Sequence, residues 1–448
     1  MKKALLAAFI VLFATAAWAE DVKFSISGDF HARGSYWKNF SQGAPAADYE
    51  SESYMDYDGD INLYPKLSVG NATLNFKIAI RDETWGSIAN DVSKSVNTDW
   101  TSMAGQTYTT QKDDNINIER AWLTYKFGEN TTLDVGLMDG QAWATTFGDY
   151  CMGRYRVKLT QKTPFGVIEG GLEKNVELGT SALKDSEKDD YDSYFLSAVT
   201  KAGDIYIKPL IFYVDNSAAL SSSAPSIGET SDGVKVLYLA LGFNGKLGAL
   251  DFESELGYKK ADWEDFEQLA DYAAVNPALA AYANAKNSNV WGAYFNVWKS
   301  MDALTPGITL AYGSWDDEAG ARGTGWGFDF RDDFCSNLIL GDWIAWSDIT
   351  GNEEDLVAAT LIKPYVTDVK LADKLSASAS FGYIMSNQKD NAYEDATAWE
   401  IDLGLAYKLS DNVTYSVDAG YADISYDVEG VEDPDEIMLL SHKIKFTF

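Results

Sequence analysis

Apolar side chains recur at every second position along most of this chain, in segments of roughly ten residues. Leu375, Ala377, Ala379, Phe381, Tyr383 and Met385 alternate with Ser376, Ser378, Ser380 and Gly382. Trp399, Ile401, Leu403, Leu405, Tyr407 and Leu409 alternate with Glu400, Asp402, Gly404, Ala406 and Lys408. Leu250, Phe252, Leu256 and Tyr258 alternate with Asp251, Glu253, Glu255 and Lys259, and Tyr155, Val157 and Leu159 with Arg154, Arg156 and Lys158. Because successive side chains of a strand point to opposite faces, each segment predicts a strand with one apolar face and one charged or small face.

The connections between these segments separate a barrel from a sandwich. Short turn-like links fall at Gly70-Asn71, Gly128-Glu129-Asn130, Pro164-Phe165-Gly166, Ala202-Gly203-Asp204, Asn244-Gly245-Lys246, Ala303 to Pro306, Val369 to Asp373 and Ser410-Asp411-Asn412. They alternate with long polar links at 38–53, 82–114, 141–152, 175–190, 215–232, 261–288, 316–355, 387–396 and 427–436. Eight short and nine long connections join eighteen strands, with sixteen as the runner-up because 289–315 and 336–369 are the least regular. Short turns at one end and long loops at the other predict an all-β transmembrane antiparallel β-barrel. Within the longest loop, the apolar stretch 336–346 suits a segment folded into the barrel mouth; in the outer loop 261–288, the spacing of residues 262–286 predicts a helix.

The ends of the chain agree with export. Lys2 and Lys3, the apolar run Ala4 to Ala17 and the sequence Ala17-Trp18-Ala19 predict a signal peptide over 1–19, leaving 20–448 as the barrel. Ile444, Phe446 and Phe448 alternate with Lys443, Lys445 and Thr447, a pattern suited to recognition by the barrel-assembly machinery through Phe448. Mean hydropathy is −0.22, the value of a soluble chain, but a barrel lowers it with its polar inner face. The 26 Tyr and 14 Trp suit strands and membrane-interface girdles. A net charge of −32 argues against a nucleic-acid partner. Outer-membrane lipid and lipopolysaccharide are the expected surroundings.

The segments Arg81 to Gly86 (RDETWG), Ile118 to Trp143 (IERAWLTYKFGENTTLDVGLMDGQAW) and Gly307 to Gly320 (GITLAYGSWDDEAG) are similar to the outer-membrane homotrimeric porins of sulphate- and metal-reducing bacteria. The resemblance implies a trimeric diffusion channel for small hydrophilic solutes. General porins often narrow the pore with a long acidic third loop; here the corresponding link, 141–152, is short and carries only Asp149.

If the apolar face meets lipid, the other face lines the pore. Its early-strand residues are Arg33, Lys77, Arg81, Arg120, Lys126, Arg154, Arg156 and Lys158, and its later acidic residues are Asp251, Glu253, Glu255, Glu400 and Asp402. This division predicts either a basic wall opposite an acidic one, which would orient polar solutes, or ordinary lumen residues that neutralise each other. Tyr64, Trp122, Tyr206, Tyr294 and Trp298 fall on the same face, as an aromatic sugar track would. Cys151 and Cys335 both lie in outer loops, where either a disulfide or two free thiols is open. No zinc, haem or iron–sulfur spacing is present, and Asp56 to Asp60 fails the calcium-loop pattern, so no metal or cofactor is expected. Asp29, His31 and Ser27 share a strand face but lie too close in sequence for a triad, and no enzymatic activity is expected. The function expected is passive diffusion of ions and small solutes. The alternatives are a substrate-specific channel and a sheath-like barrel holding a partner.

Overall fold

The computed structural model describes residues 22–40, 52–84, 116–140, 143–148, 152–176, 190–216, 234–263, 287–316, 327–330, 334, 337–341, 356–389, 393–427, 430 and 432–448, without the side chains of 40, 52, 81–84, 176 and 263. Eighteen strands account for most of them. The first nine are β1 (Val22–Phe40), β2 (Glu52–Val69), β3 (Ala72–Thr84), β4 (Ile116–Phe127), β5 (Thr131–Gly140), β6 (Met152–Thr163), β7 (Gly166–Val176), β8 (Tyr191–Ala202) and β9 (Ile205–Asn216). The second nine are β10 (Val234–Leu247), β11 (Leu250–Trp263), β12 (Ser288–Trp298), β13 (Thr305–Gly313), β14 (Ala359–Ala372), β15 (Leu375–Ser386), β16 (Thr397–Lys408), β17 (Val413–Ser425) and β18 (Ile437–Thr447).

Each strand pairs antiparallel with its sequence neighbours, and β1 pairs with β18, so the sheet closes as one cylinder of eighteen strands. Closure leaves no open edge, which is what lets a sheet cross a membrane with its backbone groups satisfied. The seam runs in register from Asp29↔Thr447 to Lys38↔Met438. It extends to Phe448, whose N–H donates to the Gly28 carbonyl at 3.0 Å while Gly28 N–H donates to the Phe448 carbonyl at 3.0 Å.

The faces follow the alternation. On β16, Ile401, Leu403, Leu405 and Tyr407 are exposed on the outer surface, while Glu400 and Asp402 are buried on the inner one. Tyr155, Val157 and Leu159 are likewise exposed on the outside of β6. A closed sheet that is apolar outside and charged inside is the inverse of a soluble β protein.

Seven of the eight expected short turns lie within a few residues of the predicted place. The turn between β10 and β11 falls at Gly248-Ala249 instead of 244–246. Asn244 and Gly245 remain in the ladder opposite Glu253 and Phe252, and Gly248, at φ 65°, supplies the left-handed residue of the turn. β12, β13 and β14, in the least regular part of the sequence, are all present. The expected signal peptide and residues 264–286 of the expected helix lie outside the described residues; Asp262 and Trp263 belong to β11.

Candidate functional site: the barrel interior

The inner face from β1 to β8 is a lattice of ion pairs between neighbouring strands. Arg33 Nε meets Asp58 at 2.8 Å, and His31 Nδ1 meets Asp60 at 2.6 Å. Asp29 accepts bonds from Tyr64 Oη at 3.0 Å and Asn62 Nδ2 at 3.3 Å. Lys77 pairs with Glu119 at 2.5 Å. A register shift opposite Lys77 places Glu119 as the extra residue of a bulge, and Arg120 beside it reaches Asp139 of β5 at 2.6 Å.

Arg154, Arg156 and Lys158 of β6 are all engaged. Arg156 Nε meets Glu173 of β7 at 2.9 Å, and its guanidinium lies 4.4 Å from the centre of the Phe195 ring. Lys158 stands between Asp134 at 3.7 Å and Glu169 at 3.8 Å. Arg154 Nη2 is directed at the Met152 sulfur. Local neutralisation is therefore the arrangement for Arg156 and Lys158, each of which faces an acid one strand away. Lys126 is exposed near the 128–130 turn.

A different surface covers β9 to β14. The described part of the third long connection, Trp143–Gly148, lies against this inner wall. Thr145 donates to Glu255 Oε2 through its backbone N–H at 3.0 Å and its hydroxyl at 2.6 Å. Trp143 Nε1 donates to the Lys208 carbonyl at 3.2 Å. The buried Phe147 stacks on Tyr294 (5.6 Å) and Phe328 (5.3 Å) and meets Phe330 and Phe334 at 5.0 and 5.6 Å. The last three rings belong to the β13–β14 connection. Its residues 327–330 run alongside the ends of those strands: Phe328 N–H donates to the Ser314 carbonyl, and Ala358 N–H to the Phe328 carbonyl, both at 2.9 Å. Gly257 and Gly292, directly paired across β11 and β12, present no Cβ where the Phe328 ring lies. Short though it is, the third loop reaches the wall, because a single 3-10 turn at Thr146–Gly148 and a close approach of Gly148 to Glu255 need little chain.

On β16 the two acidic residues are covered by a second inward segment, Asn337–Gly341. Glu400 accepts the backbone N–H groups of Ile339 (2.8 Å) and Leu340 (2.7 Å), and Asp402 accepts Asn337 Nδ2 at 3.2 Å and Ser380 Oγ at 2.9 Å. Thus Glu255 and Glu400, both 0% exposed, and Asp402, 8% exposed, lie on the inner face but beneath loop segments. Asp251 pairs with Lys246 at 3.0 Å, and Glu253 accepts Tyr294 Oη at 2.5 Å. The part of the 336–346 stretch that is described, 337–341, is folded inward. The side chain of Arg81, and both Cys151 and Cys335, lie outside the described residues.

The five inner-face aromatics are spread over β2, β4, β9 and β12, and Tyr294 belongs to the block around Phe147. Trp143, Arg156, Lys158, Phe195 and Tyr238 line a cavity of about 250 Å³ between the third loop and the wall. Sequence reasoning missed the block of Phe147, Phe328, Phe330 and Phe334. Its only signal was the close spacing of three Phe, at 328, 330 and 334.

No protein-family model and no curated protein matches this chain. Solved structures match in fold. OccAB3 of Acinetobacter baumannii aligns with a TM-score of 0.53 at 10% identity, covering 95% of this chain and 100% of that one. OccAB2 of the same organism gives 0.52 at 12% identity, covering 95% and 98%. A BenF-like porin from Pseudomonas fluorescens Pf-5 gives 0.51 at 9% identity, covering 95% and 99%. The fold is thus that of eighteen-stranded porin barrels. Of the segments quoted above for their resemblance, residues 81–84 end β3, 118–140 lie in the β4–β5 hairpin and 307–313 in β13.

Proposed function

We propose that this protein is a porin in the outer membrane of a Gram-negative bacterium, through which ions and small hydrophilic solutes diffuse passively. The observation that carries this reading is the closed eighteen-strand cylinder with apolar residues outside and cross-strand ion pairs inside. Such a wall stays hydrated beside lipid and presents fixed charge to passing ions. Arg33, Lys77, Arg156 and Lys158 with their acidic partners are the residues we assign to the conduction path. We infer no catalytic role for His31, which is held by Asp58 and Asp60.

A second reading, a substrate-specific channel, is favoured by the cavity that sets Arg156 and Lys158 beside Phe195, Phe212 and Tyr238. Assembly as a homotrimer, contact with lipopolysaccharide and recognition of Phe448 by the assembly machinery are part of the same proposal; the trimer rests on sequence resemblance alone. Swelling of liposomes loaded with the refolded protein, using uncharged sugars of graded size, tests the reading. Size-dependent influx is expected. Liposomes as tight as protein-free controls would contradict it, and selective block by one solute class would favour the second reading.

A further inference from the structure

On β11 and β16 the inner wall gives carboxylate contacts to loop backbone. Glu400 spends both carboxylate oxygens on adjacent N–H groups, those of Ile339 and Leu340. Two successive amides pointing at one carboxylate form a specific dock, because neutral side chains offer at most one acceptor oxygen in that geometry. The wall is shaped for the same segment. Gly420 leaves room for the Ile339 side chain and Gly382 for Asn337, whose amide also donates to Asp402. Ile339 and Leu340 are buried as a result.

A matching dock lies on β11. Glu255 accepts the Thr145 N–H and hydroxyl, and Gly148 passes close to its other oxygen. Phe147 from the first segment packs against Phe328, Phe330 and Phe334 from the second connection. The two inward loops therefore share one aromatic core and are bound to the barrel at carboxylates on two separate strands, Glu255 on β11 and Glu400 and Asp402 on β16.

We propose that Glu400 is a positioning residue for the pore: it holds segment 337–341 flat against β16 and so keeps the open cross-section clear. Glu255 does the same for the third loop. Without the Glu400 dock, the segment leaves the wall and enters the lumen as a tethered obstruction. This inference rests on the porin reading for its electrical readout but has an independent chemical one.

The chemical test uses the full chain with Cys151 and Cys335 replaced by Ser and a reporter introduced by Leu340→Cys. With Glu400 present, a water-soluble maleimide should label the reporter slowly. Glu400→Ala, which leaves two amides without their acceptor, should raise the labelling rate at least about tenfold, the change that about 1.4 kcal/mol of docking corresponds to. Glu400→Gln, which retains one acceptor oxygen, should fall between. In planar bilayers, Glu400→Ala without the reporter should close transiently at least about tenfold more often, with an unchanged open level. Barrel integrity is checked by heat-modifiable electrophoretic mobility. Equal labelling rates in a folded Glu400→Ala barrel would overturn the proposal whether or not the protein conducts. Absence of conductance in the parent would count against the porin reading and leave the labelling result to decide the dock.

Discussion

At the scale of single residues, the decisive features are close approaches that need a missing Cβ. Gly28 sits on the outer face of β1 against the Phe448 ring and the Asn62 carbonyl, and its backbone makes both terminal seam bonds. Gly28→Ala should therefore destabilise the barrel by about 1–3 kcal/mol through overpacking, read as a shift in the unfolding midpoint. The cost should shrink in a Phe448→Ala background, since the two residues share the contact; an undiminished cost would show that the ring is not what Gly28 accommodates. Charge was easier to read than space. The inner placement of Arg156 and Lys158 follows from period two alone, whereas the pairing of Gly257 with Gly292 under Phe328 depends on the register between strands, which a single sequence does not fix.

At the scale of elements, alternation carries the fold because a one-residue slip would exchange the lipid and water faces of a whole strand. Leu403, exposed on the outside of β16, tests that phase. Leu403→Arg should cost about 2–4 kcal/mol of folding stability in lipid; a loss near zero would mean that this face does not meet the bilayer. On β6 the two inner cations should behave differently. Glu173 is 0% exposed and pairs with Arg156, so Arg156→Ala should cost about 3–5 kcal/mol by removing a cation from beside a buried carboxylate. Lys158, at 3.7 and 3.8 Å from its acids, is a looser member. Lys158→Gln should leave stability nearly unchanged and move the reversal potential toward greater cation preference; an unmoved potential would remove Lys158 from the conduction path. The strand count was legible from the rhythm of short and long links. The β10–β11 turn was misplaced because Asn-Gly at 244–245 is a strong turn signal, yet here it stays paired in the ladder.

At the scale of the whole molecule, the interior divides in two. From β1 to β8 the described inner wall carries ion pairs, and from β9 to β16 it carries docked loop segments around an aromatic core. The sequence showed a charged inner face all round, because Glu255, Glu400 and Asp402 alternate with apolar residues as regularly as Arg156 does. Only the folded chain distinguishes carboxylates that meet water or a cation from those that bind loop amides. That distinction shifts the assignment of selectivity from two opposed walls to the paired residues of the early strands. The most direct test is single-channel recording of the refolded protein in a planar bilayer under a salt gradient. Steady open steps with a defined reversal potential are the predicted result. A correctly folded barrel that carries no current would contradict the diffusion-pore account.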